Sequence, residues 1–160
     1  MYSKNHKNYW LFVESEFNRK QDEINGYKNL GISKSKSKKL IFNKGDIIFT
    51  YISKIKKFSD IRQVIDNKIH LKPLEYEYDR EFKKAIKTKM IKLLAKNEWL
   101  DYTIISKELK VFINSTSPAN KLLNAPILLE FDDYQTLKNY NLFVSLVSPK
   151  MYSLFLKLEY

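Results

Sequence analysis

The segment that most constrains this chain is Lys44-Gly45-Asp46 followed at once by Ile47-Ile48-Phe49-Thr50-Tyr51-Ile52. Gly45 frees the backbone for a tight turn, and the β-branched and aromatic run after it predicts a strand over Ile47–Ser53. The lysine-rich stretch just before it, Lys38-Lys39-Leu40, places a basic entrance beside the turn and the strand. A turn feeding a strand in this way argues against a purely helical fold.

Other segments take their places around that strand. Tyr9–Glu14 (YWLFVE) reads as a buried first strand. Ser15–Asn25 reads as a short helix, and Gly26 and Gly31 bracket a loop. Ser33–Leu40 is either a basic helix capped by Ser33 or a mobile basic loop. Lys54–Lys57 makes a hairpin connection, Phe58–Ile65 a strand and Asn67–Leu71 a third strand. Ala85–Leu94 alternates apolar and basic residues and reads as a strand with a lysine face. Asp101–Leu109 has helical spacing, Val111–Asn114 is short and apolar, and Pro118–Leu123 suggests a helical turn. Pro126–Phe131 reads as a strand, and Asp132 or Asp133 caps a helix to about Tyr140. Asn141–Val147 and Tyr152–Leu158 read as strands. Strands and helices do not alternate as βαβ units, so the expectation is an α+β fold, a mixed barrel of about five to seven strands with surrounding helices.

The 160 residues suit one domain, and a hydrophobic fraction of 44% indicates a folded chain. The formal net charge of +11 points first to nucleic acid as the partner. Arg19, Arg62 and Arg80 are the only arginines, so lysine carries nearly all of that charge. With no cysteine, disulfides, thiolate metal sites and cysteine nucleophiles are excluded, which fits a cytoplasmic protein. Glu14 interrupts the early apolar run, so no signal peptide is expected, and no run is long enough to span a membrane. His6 and His70 are isolated and form no zinc pattern, and no nucleophile triad or phosphate-binding glycine loop is present. A metal loop at Glu75, Glu77 and Asp79 and the Asp132-Asp133 pair are weaker readings. The chain is therefore expected to be non-enzymatic, without cofactor or metal.

Four blocks, in order, carry a resemblance to a known family. They are Tyr9-Trp10-Leu11-Phe12; Leu30-Gly31-Ile32-Ser33; Lys44–Tyr51 with Phe58–Val64 (FSDIRQV); and the later run of Phe82–Leu94, Trp99–Asn114 and Ile127–Leu137. Over about residues 9–140 the chain resembles the EVE domain family, PUA-like barrels related to YTH readers; residues 141–160 form a C-terminal extension, an extra strand or a partner-binding edge. The likeness departs at Leu30, where the family has tryptophan, at Asp60, where it has glycine, and at Ala85, where it has arginine. Tyr27, three residues before Leu30, is the candidate substitute ring.

The resemblance implies a reader that takes a modified base of DNA or RNA into a barrel pocket. Such a site needs aromatic faces for stacking and a few polar groups for the base edge. The candidate walls are Trp10, Tyr27, Leu30, Tyr51 and Trp99, and the candidate edge readers are Asn29, Ser33, Thr50 and Asp60. Candidate backbone contacts are Lys34, Lys36, Lys38 and Lys39, then Lys83, Lys84 and Lys87, with Lys54, Lys56 and Lys57 as a further cluster. A nuclease or other effector would act on what is read, and the chain would be a monomer or homodimer without membrane contact. The alternatives are a general nucleic-acid-binding barrel with a degenerate pocket and, from other classes, a protein-interaction domain or a modified-nucleotide hydrolase.

Overall fold

The computed structural model describes residues 7–79, 82–113 and 115–146, the last six of these by backbone only. Its architecture is α+β. Strands β1 (Tyr9–Glu14), β2 (Asn29–Ile32), β3 (Ile47–Ile52), β4 (Lys57–Leu71), β5 (Lys84–Leu93) and β7 (Ile127–Leu129) pair in the order β2-β5-β4-β3-β1-β7. The two-residue strand β6 (Leu100–Asp101) pairs with β4. Helices α1 (Glu16–Ile24), α2 (Lys34–Ser37), α3 (Tyr102–Ile105), α4 (Lys110–Ile113), α5 (Pro118–Leu123) and α6 (Phe131–Leu146) surround the sheet. The ladder is open, with β2 at one end and β7 at the other.

β1 and β3 run parallel, with Trp10 opposite Ile48 and Phe12 opposite Thr50. Side chains alternate along a strand, so even and odd positions serve different layers. Leu11, Ile47, Phe49, Tyr51 and Ile61 pack with Ile105, Phe112 and Leu137 from the helices. Trp10, Phe12, Leu30, Ile32, Ile48, Val64 and Ile86 pack inside the sheet's curve around Phe42. A strand covered on both faces carries no polar alternation, which is why β3 reads IIFTYI.

Asp46 explains the turn before β3. It is fully buried, and its carboxylate accepts from Asn8 N (3.0 Å), Trp10 Nε1 (2.9 Å) and Asn43 N (3.0 Å). Gly45 takes a φ of +99°, a region costly for side-chain-bearing residues. Gly31 is needed for a different reason. A Cβ there would lie 3.0 Å from the Tyr78 ring, so β2 and the Tyr78 loop approach backbone to ring.

Several sequence expectations change. Phe58–Ile65 and Asn67–Leu71 form one long strand, β4, whose register against β5 shifts between Val64 and Ile69. Val111 belongs to helix α4, and the helix expected over Asp101–Leu109 is the single turn α3. Asp133 also reaches across to a second helix. Its carboxylate accepts from Lys110 N (2.6 Å) and Val111 N (3.2 Å), closing the start of α4. The strand expected over Asn141–Val147 is helical through 146, because α6 continues past Tyr140. Tyr152–Leu158 lies outside the described residues.

Candidate nucleic-acid interface

A cleft of about 580 Å³ opens at the C-terminal ends of β1 and β3. Phe12, Glu14 and Tyr51 come from those strands, Gly31 and Ile32 from β2, and Ala119 and Leu122 from α5. Strands β1 and β2 both border it although they do not pair, so the cleft occupies the gap where the sheet fails to close. Aromatic residues in the lining are Phe12, Tyr51 and Phe82, and polar ones are Glu14, Ser15, Asn18, Ser33, Ser35, Ser53 and Asp79. Burial, then Tyr102 and Asp101, pushes the Tyr51 phenol up to about 12, so it stays a neutral donor at physiological pH.

Behind this cleft lies a buried charged cluster. Arg62 is fully buried, its Nε donating to Asp60 Oδ1 at 2.8 Å, its Nη2 to Glu14 Oε2 at 3.3 Å and its Nη1 to Asp22. Arg19 Nε sits 3.2 Å from the other Asp60 oxygen, and Thr50 Oγ1 donates to Asp60 Oδ1 at 2.9 Å. The Tyr78 hydroxyl donates to Asp22. The Tyr27 ring lies under both guanidinium groups, 4.5 Å from that of Arg19 and 5.3 Å from that of Arg62. Burial opposes the ionised form of Asp60, but Arg62, Arg19 and Ser59 outweigh it and hold the carboxyl below its usual range. Glu14 goes the other way: burial first, then the charge of Asp22, pushes it well above the usual range, and Arg62 offsets only part.

The predicted pocket residues therefore separate. Ser33 and Tyr51 line the cleft. Trp10 and Leu30 do not; they fill the apolar interior, because a tryptophan with its N–H held by Asp46 and a leucine on a two-faced strand serve packing. Thr50, Asp60 and Tyr27 belong to the charged cluster behind the cleft, where Thr50 donates to Asp60, Arg62 and Arg19 engage the Asp60 carboxylate, and both guanidinium groups cover the Tyr27 ring. Asn29 donates to the Tyr76 hydroxyl (3.3 Å) in a separate hollow of about 410 Å³. Trp99 lines a third, on the far side of α1, with its N–H on Leu94 O at 3.1 Å. Ala85 is buried opposite Gly31.

Lys34, Lys38 and Lys39 are exposed on and after α2 at the cleft's edge. Lys36 lines the cleft, but its ammonium donates to the carbonyls of Leu123 (3.2 Å) and Ala125, so it ties α2 to the end of α5. Lys83 and Lys87 are exposed and Lys84 half-buried along β5, outside the cleft lining. Phe12, Glu14, Asn18 and Phe82 were missed as cleft residues. A usable signal for the charged cluster was the scarcity of arginine: where lysine is the default cation, an arginine marks a place needing a planar fork.

No family profile matches this chain, and no curated protein sequence matches it. Solved structures do. The YTH domain-containing protein mmi1, solved with RNA, is 13% identical with a TM-score of 0.61, over 84% of this chain and 80% of that one. The YTH domain of Zygosaccharomyces rouxii MRB1, in complex with N6-methyladenosine RNA, is 13% identical with a TM-score of 0.58, over 88% and 91%. The Pho92 YTH domain, in complex with m6A, is 15% identical with a TM-score of 0.57, over 90% of each chain. The fold of this chain is thus similar to that of YTH domains.

Proposed function

We propose that this chain is a non-enzymatic reader of nucleic acid that takes one unpaired base into the cleft between β1 and β2. The supporting observation is the cleft itself: lined by aromatic and polar side chains, of a volume in the range of about 300–1,000 Å³ usual for small-ligand sites, and bordered by the segment that carries the exposed Lys34, Lys38 and Lys39. The fold likeness to YTH domains solved with RNA, one with N6-methyladenosine RNA, makes RNA the first ligand to try. A modified base, DNA as substrate, kinship with the EVE family and a nuclease or other effector partner are the finer parts of the same proposal. Phosphates would meet Lys34, Lys38 and Lys39, and the base would leave its stack to enter the gap.

The test is binding of single-stranded RNA and DNA oligonucleotides with and without one modified adenine or cytosine, across a salt series. The expected result is a base-dependent difference that persists as salt rises, on top of a salt slope of about −0.7 per phosphate contacted. A second reading, general affinity without base preference, is favoured by Lys83 and Lys87, which are exposed outside the cleft lining. It predicts the slope without the difference.

A further inference from the structure

We propose that the hollow on the far side of α1 is a second nucleotide subsite, where Arg19 takes a phosphate group and Trp99 meets the adjoining base. The site is separate from the cleft between β1 and β2 and does not rest on the reader function proposed for it.

The observation that carries it is an arginine with its outer fork unspent. Arg19 is 5% exposed, and only its Nε is engaged, by Asp60 Oδ2 at 3.2 Å and Ser59 Oγ at 3.3 Å. Among the described residues, Nη1 is the one buried side-chain polar atom without a hydrogen-bond partner, and Nη2 has none either. Arg62 gives the contrast, since its Nε, Nη1 and Nη2 each meet a carboxylate. Buried polar groups are nearly always paired, so a guanidinium that keeps its fork open inside the protein calls for an acceptor. The faces of the Tyr27 and Trp99 rings, 4.5 Å and 5.9 Å from it, offset its charge but offer no oxygen to those N–H donors.

Arg19 borders a hollow of about 400 Å³. Glu16, Arg19, Lys20 and Glu23 share one face of α1, being spaced three and four residues apart, and Lys96 and Trp99 come from the segment before β6. Lys20 and Lys96 are exposed and offset the exposed Glu16 and Glu23, so the buried Arg19 is the surplus charge of the lining. Two oxygens of a phosphate group match a guanidinium fork in parallel N–H···O bonds and carry the charge that balances it. Trp99 is half-buried with its N–H held by Leu94 O, which fixes its ring in the wall as a flat surface for stacking. Fork and ring together fit a nucleotide, free or within a strand, better than a bare anion.

The experiment titrates the protein with inorganic phosphate, adenosine, adenosine monophosphate and a short single-stranded oligonucleotide, following the indole N–H signals by NMR. Trp99→Phe assigns the Trp99 signal, and Trp10 serves as the internal reference. The expected result is a saturable shift of Trp99 with the monophosphate and the oligonucleotide, and binding about tenfold weaker for phosphate or adenosine alone. Tighter binding of the oligonucleotide identifies a strand as the source of the phosphate, and tighter binding of the monophosphate a free nucleotide; either supports the site. Arg19→Lys keeps the charge but loses the fork, and is expected to weaken monophosphate binding about tenfold. Because Arg19 also meets Asp60, a second variant, Lys20→Glu with Lys96→Glu, changes exposed residues alone and is expected to weaken binding as much. Thermal melts separate lost binding from lost fold. A Trp99 signal unmoved by the monophosphate and the oligonucleotide, or both variants folded and binding like wild type, would overturn the site. A Trp99 response without any base discrimination would leave this site standing and overturn only the reading of the cleft.

Discussion

Replacing Arg62 by methionine is expected to cost about 3–5 kcal/mol of folding stability, because it strands three buried carboxyl groups on the single remaining cation, Arg19. Domains of this size have about 5–15 kcal/mol in total, so a large share of the fold's margin is at stake. Denaturant titration with the wild type alongside measures it. The pH dependence supplies a second signature. In wild type, Asp60 has a lowered pKa, so its contribution is present above 3.8 and is lost as pH falls through its folded value. Glu14 has a raised pKa, so its contribution is full below 4.5 and is lost as pH rises through its folded value. The contributions of these two groups are therefore both present only between these two limits. Without Arg62 the carboxyl groups all favour protons in the folded state, and the variant should gain stability steadily as pH falls. A variant that unfolds with the same pH profile as wild type would show that the cluster is not the linchpin of the interior.

Asp46→Ala is expected to cost about 3 kcal/mol or more, since it leaves the Trp10 indole N–H and the backbone N–H groups of Asn8 and Asn43 unpaired at once. The loss should appear as a lower unfolding midpoint together with a red shift of tryptophan emission, because Trp10 is 7% exposed and anchored to this carboxylate. Asp46→Asn keeps one acceptor oxygen and should fall between the two. If Asp46→Ala melts with wild type, the turn is held by Gly45 and the hydrogen bonds of the backbone alone.

The parts of the fold that were legible in the sequence share one property: their local chemistry and their tertiary setting ask for the same residues. Gly45-Asp46 before IIFTYI is both a turn signal and the hub that receives the N-terminal strand, and YWLFVE is apolar because both its faces are covered. Where the two demands diverge, sequence reading fails. Trp10 and Leu30 look alike whether they wall a pocket or fill an interior, and only the alternation of β1 against β3 assigns them to the interior. Asp60 reads as an edge reader and Arg62 only as one of three arginines; the buried cluster they form is not legible, since buried ions are rare and the Arg62 partners Glu14 and Asp22 lie about forty residues away. Asn141–Leu146 is apolar enough to be a strand, but the helix that starts at Phe131 runs through it. Of the residues expected at a base pocket, Ser33 and Tyr51 line the cleft. The rest of its lining was not legible, because Phe12, Asn18 and Phe82 meet there only through the gap between unpaired strands.

The central claim is that the gap between β1 and β2 receives a base, and the variant Ala119→Trp tests it most directly. Ala119 is exposed on α5 and lines the cleft without belonging to either apolar cluster, so a tryptophan there fills the space and spares the fold. The measurement is fluorescence anisotropy of oligonucleotides with and without a single modified base, on wild type and Ala119→Trp, at low and at physiological salt. The account predicts that wild type distinguishes the two oligonucleotides, and that Ala119→Trp, still folded, binds both equally with the salt slope unchanged. A discrimination that survives intact in Ala119→Trp would contradict it.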